Sequence, residues 1–305
     1  MKSKTDALGA DLGRLVIFNA NENDFTFLEK KVPLELVYND VCDYATVTIG
    51  ASHGWVATLN KDDGILRLQD DLNPVSSDKD PKRIPLPPLV TLPGCQTHMV
   101  TNVSMSSSSP EDEDCVVAVK FLGPQLSFCR PAQSEMFRLL GSGGHLIGSW
   151  DLSTHKHTPM LQKLLFQNLP GLKKTKREIL DSCFTSEHLV ESQSTGETFL
   201  VKLFKKTEIN YAGVAKMDTE AFMVFKLDED GNAVYTKDIG DLCIFLSNSE
   251  PFSVSASSFP GMESNYVYIF DFNERAYFYL PGSRSGRHFS TFSAPYHIPP
   301  QTINK

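Results

Sequence analysis

Three histidines come nearest to a metal-binding pattern in this sequence. His155 and His157 stand two residues apart, which on a strand sets both rings on one face, and His145 lies upstream of them. A zinc site needs three or four nitrogen, sulfur or oxygen ligands. Thr158 and Pro159 follow the pair, and no carboxylate or cysteine beside it completes a set, so no metal ligand is assigned. Asp228-Glu229-Asp230-Gly231-Asn232 resembles part of a calcium loop. Its first ligand position would be Lys226, which cannot coordinate a cation, and strand-like runs replace the flanking helices. It reads as a hairpin turn. Gly141-Ser142-Gly143-Gly144 lacks the third glycine and the following helix of a dinucleotide fingerprint. There is no G-x-S-x-G elbow, no phosphate-binding G-x-x-x-x-G-K-[ST] loop and no H-E-x-x-H. A Ser-His-Asp set converges in space rather than in sequence, and nothing here selects one. The reading is a non-enzyme, with catalytic, cofactor-binding and metal residues all assigned as none and no cofactor expected.

The elements that would position any site are hairpins. Gly54 to Asn60 meets Ile65 to Gln69 across Lys61–Gly64, where glycine supplies a positive φ and aspartate tolerates it. The same pattern pairs Val116 to Leu122 with Gln125 to Cys129, and His188 to Ser192 with Thr198 to Phe204. It recurs where Ala221 to Leu227 meets Ala233 to Lys237, and where Tyr266 to Phe272 meets Ala276 to Leu280. Enrichment in β-branched and aromatic residues makes these antiparallel strands. Several runs are apolar at nearly every position, as in strands covered on both faces when small sheets stack. No strict internal repeat is present, and Trp150-Asp151 occurs once.

Between the hairpins, residues 73–94 carry six prolines and predict an extended connection. Ser106 to Asp114 reads as a solvated acidic loop, with Ser108 and Ser109 open to phosphorylation. Leu172 to Asp181 predicts one short helix with Leu172, Ile179 and Leu180 on one face. The basic cluster Lys173, Lys174, Lys176 and Arg177 then forms its wet side.

The 305 residues are 41% hydrophobic and 22% charged, an ordinary globular balance. A net charge of -8 opposes binding to phosphate backbones, so no nucleic-acid partner is expected. No apolar run reaches the roughly 20 residues that span a bilayer, so no membrane partner is expected. Residues 1–13 read as a short disordered leader, with neither a secretory h-region nor an Arg-rich presequence. A single domain is expected over 14–300, with a tail at 301–305. The six scattered cysteines, 42, 95, 115, 129, 183 and 243, form no C-x-x-C pair and read as reduced thiols.

Ile239 to Gly261, with its IGDLCIFLS strand and a later strand expected over Ser253 to Phe259 and ended by Pro260-Gly261 (SVSASSFPG), resembles a plant β-propeller family catalogued as domain of unknown function 295. Gly54-Trp55, Ile84 to Pro88, Cys115 to Lys120, Leu126 to Pro131, Gly196 to Lys202 and Pro295 to Pro300 match in the same order. Ser104 to Lys120 and Leu180 to Glu191 are similar to an organellar branch found in the mustard group. The family includes F-box proteins that bind kinases. The resemblance implies an all-β propeller of short antiparallel hairpin sheets and supplies no catalytic residue to carry over. Two departures follow: the chain has no F-box, and Gln133-Ser134 resembles a deletion junction where relatives place a tryptophan-bearing strand and a hairpin. One blade is therefore expected to be incomplete, and the segment 129–150 to be the least protected against hydrogen exchange.

The function expected from this is a non-enzymatic protein-interaction propeller, a monomer with an unknown protein partner. The alternatives are a propeller-based hydrolase and a degenerate paralogue. Location divides between cytoplasm or nucleus, from the absent leader, and mitochondrion or plastid, from the resemblance.

Overall fold

The computed structural model describes residues 4–5, 11–19, 24–33, 46–60, 62–73, 76–77, 81–86, 100–112, 115–121, 126–129, 136–140, 145–151, 160–209, 215–247, 250–270, 275–280 and 283–287. Among them the chain builds six small sheets in chain order. The first joins β1 (Lys4–Thr5), β2 (Asp11–Asn19) and β3 (Asp24–Pro33). The second joins β4 (Thr46–Ser52), β5 (Trp55–Asn60), β6 (Leu66–Gln69) and β7 (Arg83–Pro85). The third holds β8 (Val100–Met105), β9 (Val117–Phe121) and β10 (Leu126–Cys129), and the fourth β11 (Met136–Leu140), β12 (Leu146–Asp151) and β13 (Met160–Lys163). The fifth runs in the order β14 (Leu165–Gln167), β18 (Asn232–Thr236), β17 (Ala215–Leu227), β16 (Thr198–Ile209), β15 (Phe184–Glu191). The sixth runs β20 (Phe252–Ser255), β19 (Leu242–Ser247), β21 (Tyr266–Phe270), β22 (Arg275–Tyr279), β23 (Ser283–Arg287). One helix, α1 (Lys174–Asp181), precedes β15.

All five hairpins read from the sequence are formed. Gly64 and Gly231 take the positive φ that their turns require, at 67° and 84°. Asp228 N–H donates to the Asn232 carbonyl at 3.1 Å and the Asp228 carboxylate accepts from Asn232 N–H at 2.7 Å, so the calcium-like segment is a hairpin turn. A hairpin not anticipated joins β4 and β5 through His53-Gly54. Both residues have positive φ, 50° and 85°, the geometry of a two-residue primed turn. Two parallel pairings break the antiparallel pattern, β14 with β18 and β19 with β21. The first arises because β13 and β14 are one extended run that changes sheets at buried Leu164. Leu164 N–H donates to the His145 carbonyl and Leu165 N–H to the Gly231 carbonyl, each at 2.9 Å.

The chain divides into two compact units, residues 1–135 with 248–250 and 291–305, and residues 136–247 with 251–290. In the first unit the second sheet is covered on both faces. Trp55, Ala57, Leu66 and Leu68 pack on Val103, Met105, Val117 and Val119 of the third sheet, while Val56 and Ala51 pack on Val32 of the first. In the second unit the fifth sheet is likewise double-sided. Phe199, Val201, Leu203 and Val224 meet Ile244, Leu246, Val267, Ile269 and Phe278 of the sixth sheet, and Leu200 and Phe225 on the opposite face meet Ile147 of the fourth. This alternation explains the near-continuous apolar runs: each neighbouring residue faces a different sheet.

Three sequence expectations are corrected. Ile179 is 42% exposed, so only Leu180 of the helix is buried, because one eight-residue helix presents a narrow stripe to the sheet. The strand expected over Ser253 to Phe259 ends at Ser255. There the Asp241 carboxylate takes N–H and Oγ of Ser257, and Ala256 N–H donates to the Asp241 carbonyl at 2.7 Å, coiling Ala256–Ser258 into a 3-10 turn. The Ser106 to Asp112 segment is also tied down rather than merely solvated. Trp55 Nε1 donates to the Ser108 carbonyl at 3.1 Å, Val116 N–H to Ser106 Oγ at 2.9 Å, and Ser107 Oγ bonds to Asp112.

Candidate functional site

A groove of about 340 Å³ opens in the second unit beside β17. Its lining includes every residue from Thr219 to Val224, a consecutive run of one strand. Alternate side chains of a strand point to opposite faces, so a cavity touching all of them lies along the strand's edge rather than over one face. The ladder explains the opening. β16 pairs with β17 over its full length, whereas β18 pairs only with Val224 to Leu227 and ends at Thr236. Beyond Val224 the groove stands where a neighbouring strand would run.

A bulge shapes this edge. Phe204 pairs with Ala221 and Lys205 with Thr219, so Glu220 is the extra residue. A bulge bends its strand and re-aims side chains, and Glu220 is exposed at the groove's lip. The floor is apolar. Buried Leu180 of α1, Phe278 and Leu280 line it with Phe222, whose ring centroid is 5.2 Å from that of Phe278. The rim carries Lys176 of α1 and Lys237 after β18, both exposed. Lys173, Lys174 and Arg177 are exposed on the same helix, Lys174 reaching Glu178 at 3.9 Å.

Asn265 braces two walls at once. It adopts a left-handed φ of 69°, which asparagine tolerates better than most residues. Its Nδ2 donates to the carbonyls of Lys237 at 3.3 Å and Leu280 at 3.4 Å, and its Oδ1 accepts from Ile239 N–H at 3.0 Å. Tyr235 lines the groove, and Cys183 follows α1 within electrostatic reach of Glu220. Burial, then Glu220, pushes the Cys183 thiol up against the opposing pull of Lys206, and Cys183 Sγ donates to the Ile179 carbonyl at 3.3 Å. Burial also raises the Tyr235 hydroxyl. Neither group is poised to react near neutrality.

Of the three histidine candidates, only His145 falls within the described residues. His145 is exposed at the head of β12 with its ring edge-on to Phe166 at 5.4 Å. His188 sits on β15, with Nε2 3.2 Å from Ser186 Oγ. Neither lines the groove. His155, His157, residues 141–144 and the 133–134 junction lie outside the described residues. Among the described residues no three His, Cys, Asp or Glu side chains cluster as a metal site would need. Cys115, Cys183 and Cys243 are free thiols, Cys115 and Cys243 buried, the latter pushed up to about 11 chiefly by burial.

The profile described as KIB1-4 beta-propeller matches residues 25–292, most of the chain. The chain belongs to the KIB1-4 beta-propeller family. The small stacked sheets of each unit are the all-β propeller that the family describes. No curated protein and no solved structure matches this propeller. The groove itself was missed in the sequence because its two signals are weak there. Leu172 and Lys176 read as an isolated helix, and the strand from Ala221 read as starting at its hairpin rather than six residues earlier at Ala215.

Proposed function

We propose that this propeller is a protein-interaction domain and that the groove beside β17, with the basic face of α1, is part of its binding surface. One observation carries the reading: the match to the KIB1-4 beta-propeller over residues 25–292. The groove supports it, since an open strand edge over an apolar floor is a recurrent docking device for peptide segments. A protein kinase is the first partner class to test, because the wider family that the sequence resembles includes kinase-binding members. The domain is proposed to act without chemistry of its own, as a monomeric scaffold over 14–300.

The test is to purify the tagged chain from plant cells and measure the mass of the eluted species by light scattering. A stoichiometric complex with one protein partner supports the reading. Chaperones and proteasome subunits alone would sink it and favour the degenerate-paralogue alternative.

A further inference from the structure

Building on the protein-binding reading, we propose that the groove takes an extended, acidic segment of the partner, which adds to the edge of β17 as a further strand. Three features of the groove select this occupant. The first is backbone. Alternate residues of a strand direct N–H and C=O to each neighbour. With β16 on one side, alternate residues between Glu220 and Val224 direct theirs toward the groove, past the point where β18 ends. That stretch is about 15 Å long at roughly 3.4 Å per residue, enough to register a short segment by main-chain bonds.

The second is the floor. Leu180, Phe222, Phe278 and Leu280 lie beneath the edge, so every second side chain of an added strand would meet apolar surface while the others face outward. The third is charge. Lys176 and Lys237 stand on the rim and Lys173, Lys174 and Arg177 continue the basic face, on a chain whose net charge is -8. Glu220, the bulged residue, is the acid in the lining, and Glu178 and Asp181 stand on α1 with its four cations. A concentration of cations against an acidic background steers an acidic segment toward this face and repels a basic one.

The experiment is fluorescence anisotropy with the full chain and synthetic peptides of about eight residues, a length set by the strand edge. The probe alternates glutamate and valine. One control replaces glutamate by lysine, and another N-methylates alternate backbone nitrogens. The protein is tested as wild type and as K176E/K237E, two exposed positions whose replacement is expected to leave the thermal midpoint unchanged. The acidic probe is expected to bind, and to weaken about tenfold in the double variant and with added salt. The N-methylated peptide is expected to lose binding because it cannot complete the ladder. Equal binding of the lysine or N-methylated peptide, or no effect of K176E/K237E, would overturn the proposal. So would a dimer of the purified chain that K176E/K237E dissolves, which would assign the edge to a second copy. If a stoichiometric partner is found but binds K176E/K237E as tightly as wild type and is not displaced by the probe, the strand inference fails while the interaction reading stands.

Discussion

The two units have apolar cores of similar kind and differ in where their buried polar groups lie. In the second, Phe199, Val201, Leu203, Ile244 and Val267 are each at or below 1% exposure, and Lys205, Asp218 and Thr219 are buried along β16 and β17. In the first, buried polar groups fasten segments remote in the chain. Asp70 and Asp71 are 4% and 3% exposed directly after β6, and Lys30 is 6% exposed on β3. Asp71 forms a two-pronged ion pair with Arg83, at 2.9 and 2.7 Å, and Asp70 Oδ1 accepts from Lys82 N–H at 2.9 Å. Lys30 Nζ donates to the Ser76 carbonyl at 3.1 Å. A further clasp comes from distant sequence: Glu250 accepts from Ser52 Oγ at 2.7 Å and Ser104 Oγ at 2.8 Å, and its N–H donates to the Ala51 carbonyl. Core packing is indifferent to pH, whereas buried charge is sensitive to it. Loss of a core side chain and a change of pH therefore probe different contacts.

Phe199→Ala should separate the units most strongly. It empties a site 1% exposed between the fifth and sixth sheets and should cost about 3–5 kcal/mol, read as a lower denaturant midpoint. A loss below about 1 kcal/mol would show that the sheets do not rely on this contact.

Asp71→Ala tests the fasteners. It removes the partner of Arg83, and because Arg83 is one-third exposed the loss should reach only about 2 kcal/mol, below that for a fully buried pair. Its pH dependence has a defined sign. Burial raises the Asp71 carboxyl above its ordinary value of 3.8, against the opposing pull of Arg83. The folded state then holds the proton more tightly than the unfolded one. Its contribution is greatest below that ordinary value and declines as pH rises through the raised one. The wild-type advantage over Asp71→Ala should shrink over the acid window that opens upward from 3.8. An advantage that grows over that window would mean that the ion pair outweighs burial.

Trp55→Phe should cost about 1–2 kcal/mol by removing the Nε1 bond to the Ser108 carbonyl and part of the indole's buried volume. Loss of order in residues 106–112 by hydrogen exchange would accompany it. At the small end, Lys174→Ala should change stability by less than about 0.5 kcal/mol, since its pair with Glu178 is solvent-exposed at 3.9 Å. A larger effect would mean that α1 contributes more than the single buried Leu180.

Much of the fold was legible because hairpin signals are local. Lys61–Gly64 and Asp228–Asn232 announce their turns by residue type, and the flanking apolar runs announce strands covered twice. Less of the site was legible. Lys176, Thr219, Lys237 and Phe278 carry no spacing signal linking them, and no local pattern marks Asp70-Asp71 as a buried pair.

What the sequence by itself determined was the kind of object: strand pairs with near neighbours and a resemblance to a propeller family. The strand pairs follow from turn chemistry and period-two patterning, which act within a few residues, and the resemblance from segments matched in order along the chain. The tertiary structure alone decided the parallel additions β14 to β18 and β19 to β21, the Glu250 clasp, and where β17 runs on past β18. Each depends on segments remote in the chain meeting at one place. Whether a strand's second edge is covered is settled by which sheet its neighbours join, and no local pattern encodes that choice.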